Sequence, residues 1–169
     1  FPHTGYYVLQ RGHRGAPDRL SVLFDCGELG FLSIAGHGHA DALSILLRVG
    51  GNDVLVDPGT YDYFTYPAWR KYFRGTGAHN TIVVDGEDQS EMIGPFLWGR
   101  RARCQCIRWE PTDRGGTVTG EHDGYTRLPD PVVHVRSVTL DDDGDELVVR
   151  DELAAAGRHA VTACWHFGE

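Results

Sequence analysis

Val133-His134-Val135-Arg136-Ser137-Val138-Thr139-Leu140 alternates apolar with polar residues, the period of two expected of a β-strand with one packed and one wet face. On that reading His134 and Arg136 point outward. Runs of similar character lie at residues 6–9, 20–24, 43–49, 54–56, 81–84, 147–149 and 160–166. Turn formers separate most of them: Gly50-Gly51-Asn52-Asp53, Asp85-Gly86, Gly115-Gly116 and Asp143-Gly144-Asp145. Short strands joined by tight turns predict an all-β domain, an antiparallel β-sandwich.

Residues 42–49 lack a clean period of two and can also be scored as helix; we read a strand buried on both faces, paired through Gly50-Gly51-Asn52-Asp53 with residues 54–56. The one helical segment is residues 67–74, with Pro67 at its first position and Gly75 just past its end. No repeat, low-complexity tract or internal boundary is visible, so residues 1–169 read as one domain.

Composition narrows the function classes. The chain is 169 residues long, 41% hydrophobic and 24% charged, as a domain with its own core requires. No window approaches the roughly 18 apolar residues of a membrane span, and the first residues show neither the basic nor the apolar region of an unprocessed secretory signal. A net charge of -8 argues against nucleic acid, whose binding needs an excess of Lys and Arg. Two local basic clusters, Arg70, Lys71, Arg74 and Arg100, Arg101, Arg103, read as solvated faces, with attraction of an anionic sugar as the alternative. Cys26, Cys104, Cys106 and Cys164 lack the paired spacing of a zinc ribbon and read as buried thiols.

The chemistry is concentrated in three segments: Gly36-His37-Gly38-His39-Ala40-Asp41, Val56-Asp57-Pro58-Gly59-Thr60 and Ala78-His79-Asn80-Thr81. In an extended segment His37 and His39 share a face. Two imidazoles and a carboxylate from His39, Asp57 and His79 form a donor set that suits zinc, with ordinary surface or core histidines as the alternative. A cupin site would need a Glu shortly after the second His, and Ala40-Asp41-Ala42-Leu43-Ser44-Ile45 supplies none. His3, His13, His122, His134, His159 and His166 have no spacing that gathers them into a second site. Trp69 and Trp98 read as core residues, with stacking on sugar rings as the alternative.

These words in this order resemble the β-sandwich domain of the heparinase II/III-like polysaccharide lyases. The likeness runs through His37-Gly-His-Ala-Asp41, Leu55-Val-Asp-Pro-Gly-Thr60, Tyr61, Tyr63, Tyr72-Phe-Arg74, Ala78-His-Asn-Thr81, Val84-Asp-Gly86, Asp88-Gln-Ser-Glu91 and Trp98, with Gly5-Tyr6-Tyr7-Val8-Leu9 as its opening. The resemblance implies a larger enzyme in which an N-terminal helical toroid, not present in this chain, faces the sandwich across the active-site cleft. It implies a zinc ion held by His39, Asp57 and His79, His37 as a catalytic residue, and an acidic polysaccharide such as a glycosaminoglycan as substrate, cleaved by β-elimination. It also implies a periplasmic or extracellular address. Arg74 and Asn80, flanking the ligand segments, are expected to bind substrate, with turn-stabilising hydrogen bonds as the alternative. Tyr61 and Tyr63 read as packing behind the metal loop. A non-catalytic carbohydrate-binding or structural module with a structural zinc, and a metal-dependent hydrolase, are the rival readings.

Overall fold

The computed structural model describes residues 3–13, 15–30, 34–141 and 146–169, and among these it forms twelve strands and one two-turn α-helix. The first sheet is a meander of β1 (Tyr6–Arg11), β2 (Leu20–Asp25), β3 (Ile45–Val49) and β4 (Asn52–Leu55), all antiparallel neighbours. Two small ribbons involve β5 (Ile82–Val84), β6 (Met92–Gly94) and β7 (Leu97–Trp98): β6 pairs with β7, and β5 with the C-terminal β12 (Val161–Ala163). Between these ribbons in sequence lies a second antiparallel meander of β8 (Cys104–Thr112), β9 (Gly115–His122), β10 (Val133–Leu140) and β11 (Leu147–Ala154).

One core joins the two large sheets. Leu9, Val22, Phe24 and Ile45 from the first pack with Val118, Val138 and Leu140 from the second, giving the sandwich that alternating strands predict. A smaller cluster of Ile82, Val84, Tyr125 and Val132 sits under the β5 ribbon. Two expected turns have the backbone their residues require: Gly50 and Gly51 (φ +59° and +89°) join β3 to β4, and Asp85 and Gly86 (φ +54° and +74°) turn the chain after β5. Positive φ at both central positions matches the twist of antiparallel strands. The expected turn at Asp143-Gly144-Asp145 lies outside the described residues.

Three expectations about elements change. Strand β3 begins at Ile45, because Leu43 turns with φ +61° to bury its side chain; its far end is exposed, so it is not buried on both faces. Strands β6 to β9 carry too little apolar alternation to announce themselves: β9 is Gly115-Gly-Thr-Val-Thr-Gly-Glu-His122, and β8 is an edge strand that tolerates Pro111. Most instructively, His134 and Arg136 point inward with no exposed surface, on the same face of β10 as Val138 and Leu140. Asp151 on β11, paired in register with Arg136, makes that burial affordable by accepting from both.

Helix α1 (Pro67–Arg74) forms where expected, with Pro at its start, but its polarity is inverted. Arg70 and Arg74, one turn apart, are buried, whereas Trp69 and Tyr72 are about half exposed. The inward face meets backbone carbonyls that need donors, Gly36, Gly94 and Pro95, and the two guanidiniums supply them. Arg70 and Arg74 are therefore not a solvated face, and Trp69 is not a core residue; Trp98 is half-buried and lies over the Arg74 guanidinium at 4.3 Å. Arg100, Arg101 and Arg103 are exposed as expected.

Candidate metal centre

Each candidate ligand is carried by a loop whose shape is fixed from within the sandwich. His39 lies between β2 and β3, where the Gly38 amide closes a turn onto the Ala35 carbonyl and the Ala40 amide donates to the Arg74 carbonyl. Asp57 follows β4, and its Oδ1 accepts from the Gly59 amide at 2.8 Å, an Asx turn that aims the other oxygen inward. His79 follows α1 and a 3-10 turn at Thr76–Ala78, with its amide donating to the Thr76 carbonyl.

The three meet. One ligand atom from each of His39, Asp57 and His79 lies within 4.8 Å of the others, and His79 Nδ1 is 2.6 Å from Asp57 Oδ2. His79 has no exposed surface, and its Nε2 has no hydrogen-bond partner. A buried, unpartnered imidazole nitrogen beside a carboxylate and a second imidazole fits a divalent cation, which bonds N and O donors at about 2.0–2.2 Å when it is zinc. The electrostatics agree at two of the three groups; at His79 burial acts to lower the imidazole, but the Asp57 hydrogen bond and the Asp41 and Asp57 charges raise it above its ordinary value. Burial and the neighbouring His79 bring His39 down to about 4, against the pull of Asp57, so its imidazole is neutral at pH 7, the form a metal ligand needs. Burial acts to raise Asp57, but the His79 hydrogen bond overrides it and holds the carboxyl below its ordinary value.

An acidic pair stands beside this cluster. Burial raises Asp25 to about 6, and burial together with Asp25 raises Asp41 to about 7. Tyr6, facing Asp25, is pushed up to about 12 by that carboxylate. Tyr6, Asp25, His37, His39 and Asp41 share the wall of one cavity of about 380 Å³.

His37 does not join the ligands. Residues 36–37 form a turn rather than a strand, so the two imidazoles of His-x-His diverge. The exposed His37 ring instead meets Tyr63 edge-on at 5.4 Å and Phe96 at 6.0 Å. Those same two rings cover the Arg70 guanidinium at 4.9 and 5.0 Å. Beyond them opens a pocket of about 510 Å³ lined by Tyr63, Phe64, Arg70, Lys71, Arg74 and Phe96. Tyr63 thus packs beside His37 rather than behind the ligands, and Tyr61 is exposed and stacked on Phe73.

Arg74 lines the pocket wall but is itself buried. Its NH1 donates to the Gly94 and Pro95 carbonyls, while Nε and NH2 have no partner. Burial and Arg70 bring it down to about 10. Asn80 is turned inward: its Nδ2 donates to the Ile45 and Val56 carbonyls, both at 2.9 Å, and its Oδ1 accepts from the His166 amide at 2.7 Å. Those bonds commit the amide to fixing His79 against the Asp57 segment, so Asn80 holds the site together from behind and does not face a substrate.

Other residues of the motif segments, to which the sequence assigns no role of their own, complete the support. Gln89 donates to the Ala42 carbonyl, Thr81 Oγ1 donates to the same oxygen, and Asp88 Oδ1 accepts from the Thr76 amide. From the far sheet, Arg136 NH1 donates to the Leu43 carbonyl at 2.9 Å and the Asn80 carbonyl at 2.6 Å, gripping the His39 and His79 loops together. His122 and His134, which spacing leaves apart, form the other end of this support: His122 Nε2 is 3.0 Å from His134 Nδ1, and His134 Nε2 is 2.7 Å from Asp151 Oδ1. The only signal for it in the sequence is the polar pair on an otherwise apolar strand face.

Residues 1–169 match the family model described as heparinase II/III-like, C-terminal. The chain is similar in structure to heparinase III, the BT4657 gene product, with a TM-score of 0.72 at 22% identity over 95% of this chain and 22% of that one. It is similar to the heparan sulfate lyase HepC from Pedobacter heparinus, with a TM-score of 0.69 at 16% identity over 98% and 23%. A crystal structure of heparinase III gives 0.72 at 20% identity over 98% and 24%. No curated protein matches. The chain spans less than a quarter of the length of each of these structures, and at such identities the likeness is one of fold.

Proposed function

We propose, because this chain belongs to the heparinase II/III-like, C-terminal family, that it is the metal-binding sandwich portion of a polysaccharide lyase that cleaves uronic-acid-containing glycans by β-elimination. The observation that carries the reading is the convergence of His39, Asp57 and His79 on one point, with an exposed His37 on the adjoining turn. The remaining parts of the active site would come from a partner domain, and the enzyme would work in the periplasm or outside the cell.

In such a reaction a base removes the proton on C5 of the uronate. The electrons form a C4–C5 double bond, and the C4–O4 bond breaks with proton delivery to the leaving oxygen. The C5 proton is weakly acidic until the carboxylate beside it is neutralised, so donors and cations must sit near that group. His37, presented on a turn between the acidic cavity and the aromatic pocket, is placed to donate to the carboxylate or to carry a proton. Arg70 and Arg74 have no carboxylate partner among the described residues, and the positive potential they leave at the pocket wall suits an acidic sugar. Zinc, held by His39, Asp57 and His79, would fix three loops in register and so orient the His37 turn, a structural use of the metal.

The test is to incubate the full-length protein with heparin, heparan sulfate and alginate and to follow unsaturated ends by ultraviolet absorbance. Turnover of one polymer, lost in His37→Ala with metal retained, supports the assignment; absence of unsaturated ends from all of them overturns it. The exposed Phe64, Trp69 and Tyr72 favour a second reading, a non-catalytic carbohydrate-binding module with a structural zinc, because flat aromatic faces stack on sugar rings. Glycan binding without any turnover would select it.

A further inference from the structure

We infer that Cys26 and Cys104 are a disulfide site that staples the two sheets of the sandwich when the protein meets a disulfide oxidant. Their Sγ atoms stand 3.6 Å apart across 78 residues of chain. Cys26 follows β2 and is 3% exposed, and Cys104 opens β8 and packs against the same core. Gly120 on β9 leaves room for the pair: a Cβ there would lie 2.5 Å from Cys26 Sγ. Closing the sulfurs to the roughly 2.05 Å of a disulfide takes side-chain rotation and a small approach of the edge strand β8.

Other pairings are worse. Cys104 and Cys106 sit two apart on one strand, about 6.6 Å between Cα atoms, at the upper limit of the span a disulfide bridges. Cys106 Sγ is turned instead to the Arg108 carbonyl at 3.2 Å. Cys164 adjoins β12, where its amide donates to the Thr81 carbonyl in the separate small ribbon.

The step balances with an organic disulfide such as oxidised glutathione. The thiolate of Cys104, the more accessible of the two, attacks one sulfur and expels one reduced thiol. Cys26 then attacks the mixed disulfide and expels the second. The two cysteines lose two electrons and their two protons end on the released thiols. The hydrogen-bonded Cys26 thiol and burial raise the Cys104 thiol well above its ordinary value, so closure is slow in the folded protein and faster while the chain folds. The bond would close a loop that contains His39, Asp57 and His79 together, holding all three ligands whether or not metal is bound.

The test is to refold the full-length protein with a mixture of reduced and oxidised glutathione, block free thiols with iodoacetamide, digest with trypsin and analyse by mass spectrometry. The expected product joins peptide 20–48 to peptide 104–108 and is about 2 Da lighter than the reduced pair. Because peptide 104–108 holds both Cys104 and Cys106, single variants assign the bond: Cys104→Ser abolishes it and Cys106→Ser keeps it. Reduction with dithiothreitol should lower the wild-type Tm by about 5 °C or more and leave that of Cys104→Ser unchanged. Wild-type protein with Cys26 and Cys104 both alkylated after oxidative refolding, or a link that survives Cys104→Ser, overturns the inference.

Discussion

His39, Asp57 and His79 on one side of the domain, and His122, His134 and Asp151 on the other, are clusters of the same composition with opposite hydrogen-bond economies. In the second, every ring nitrogen is used. The Gly124 amide donates to His122 Nδ1, which leaves the His122 Nε2 proton for His134 Nδ1 and the His134 Nε2 proton for Asp151. Arg136 then neutralises Asp151 through two further bonds. In the first cluster no arginine among the described residues binds Asp57, and a buried His79 nitrogen lacks a hydrogen-bond partner. Residue types alone do not distinguish a ligand set from a structural network; the presence or absence of a satisfying partner does.

The largest effect should come from unbalancing the closed cluster. Arg136→Met leaves the half-buried Asp151 charge with His134 but without its arginine and frees the Leu43 and Asn80 carbonyls. We expect a loss of about 3–5 kcal/mol in urea unfolding, the cost of breaking a buried pair from one side. A loss below about 1 kcal/mol would mean that the network is not holding the ligand loops.

The open cluster should respond to an ion rather than to truncation. Chelation should lower the stability of the wild-type protein by about 2.7 kcal/mol relative to zinc at a hundredfold excess over its Kd, whereas His39→Ala should melt at one temperature with or without chelator. Equal chelator sensitivity in both proteins would break the contrast between the clusters.

Acid separates the clusters further. Burial acts to raise Asp151, but its hydrogen bonds to His134 and Arg136 hold it at about 2. Its folded pKa lies below the unfolded value, so its contribution is present above pH 4 and is lost as the pH falls toward 2. After discounting for partial solvent access this amounts to about 1–2 kcal/mol, and Asp151→Asn should flatten the acid limb by that amount. Burial also holds His122 well below the ordinary histidine range, so the unfolded chain takes up a proton that the fold refuses, and stability declines below about pH 6.5. His122→Gln should reduce that decline. The smallest effect belongs to the exposed Arg48–Asp53 pair at 2.7 Å, where Asp53→Ala should cost less than about 0.5 kcal/mol.

The sandwich and the convergence of His39, Asp57 and His79 were legible in the sequence because both rest on local signals. Alternation and paired glycines mark the strands and turns, and each of the three residues stands in a short motif. What was not legible depends on partners far along the chain. Arg136 reads as solvent-facing until Leu43, 93 residues away, and Asn80, 56 residues away, present carbonyls to it. Arg70 and Arg74 read as a basic surface for the same reason: the backbone carbonyls they bind, Gly36, Gly94 and Pro95, lie 20 to 34 residues away. Asn80 sits in a ligand motif and so suggests a substrate contact, but its amide bridges Ile45, Val56 and His166 instead. His37 shares a two-residue spacing with His39, and the Gly36-His37 turn cancels it.

The measurement that bears most directly on the central claim is the metal content of the full-length protein, purified without added metal, beside its His39→Ala and His79→Ala variants. We expect about one zinc ion per chain in the wild type and loss of that ion in both variants while the Arg136–Asp151 side remains folded by hydrogen exchange. A wild type that is folded and metal-free even after incubation with zinc, or a His79→Ala protein that keeps its ion, would contradict it.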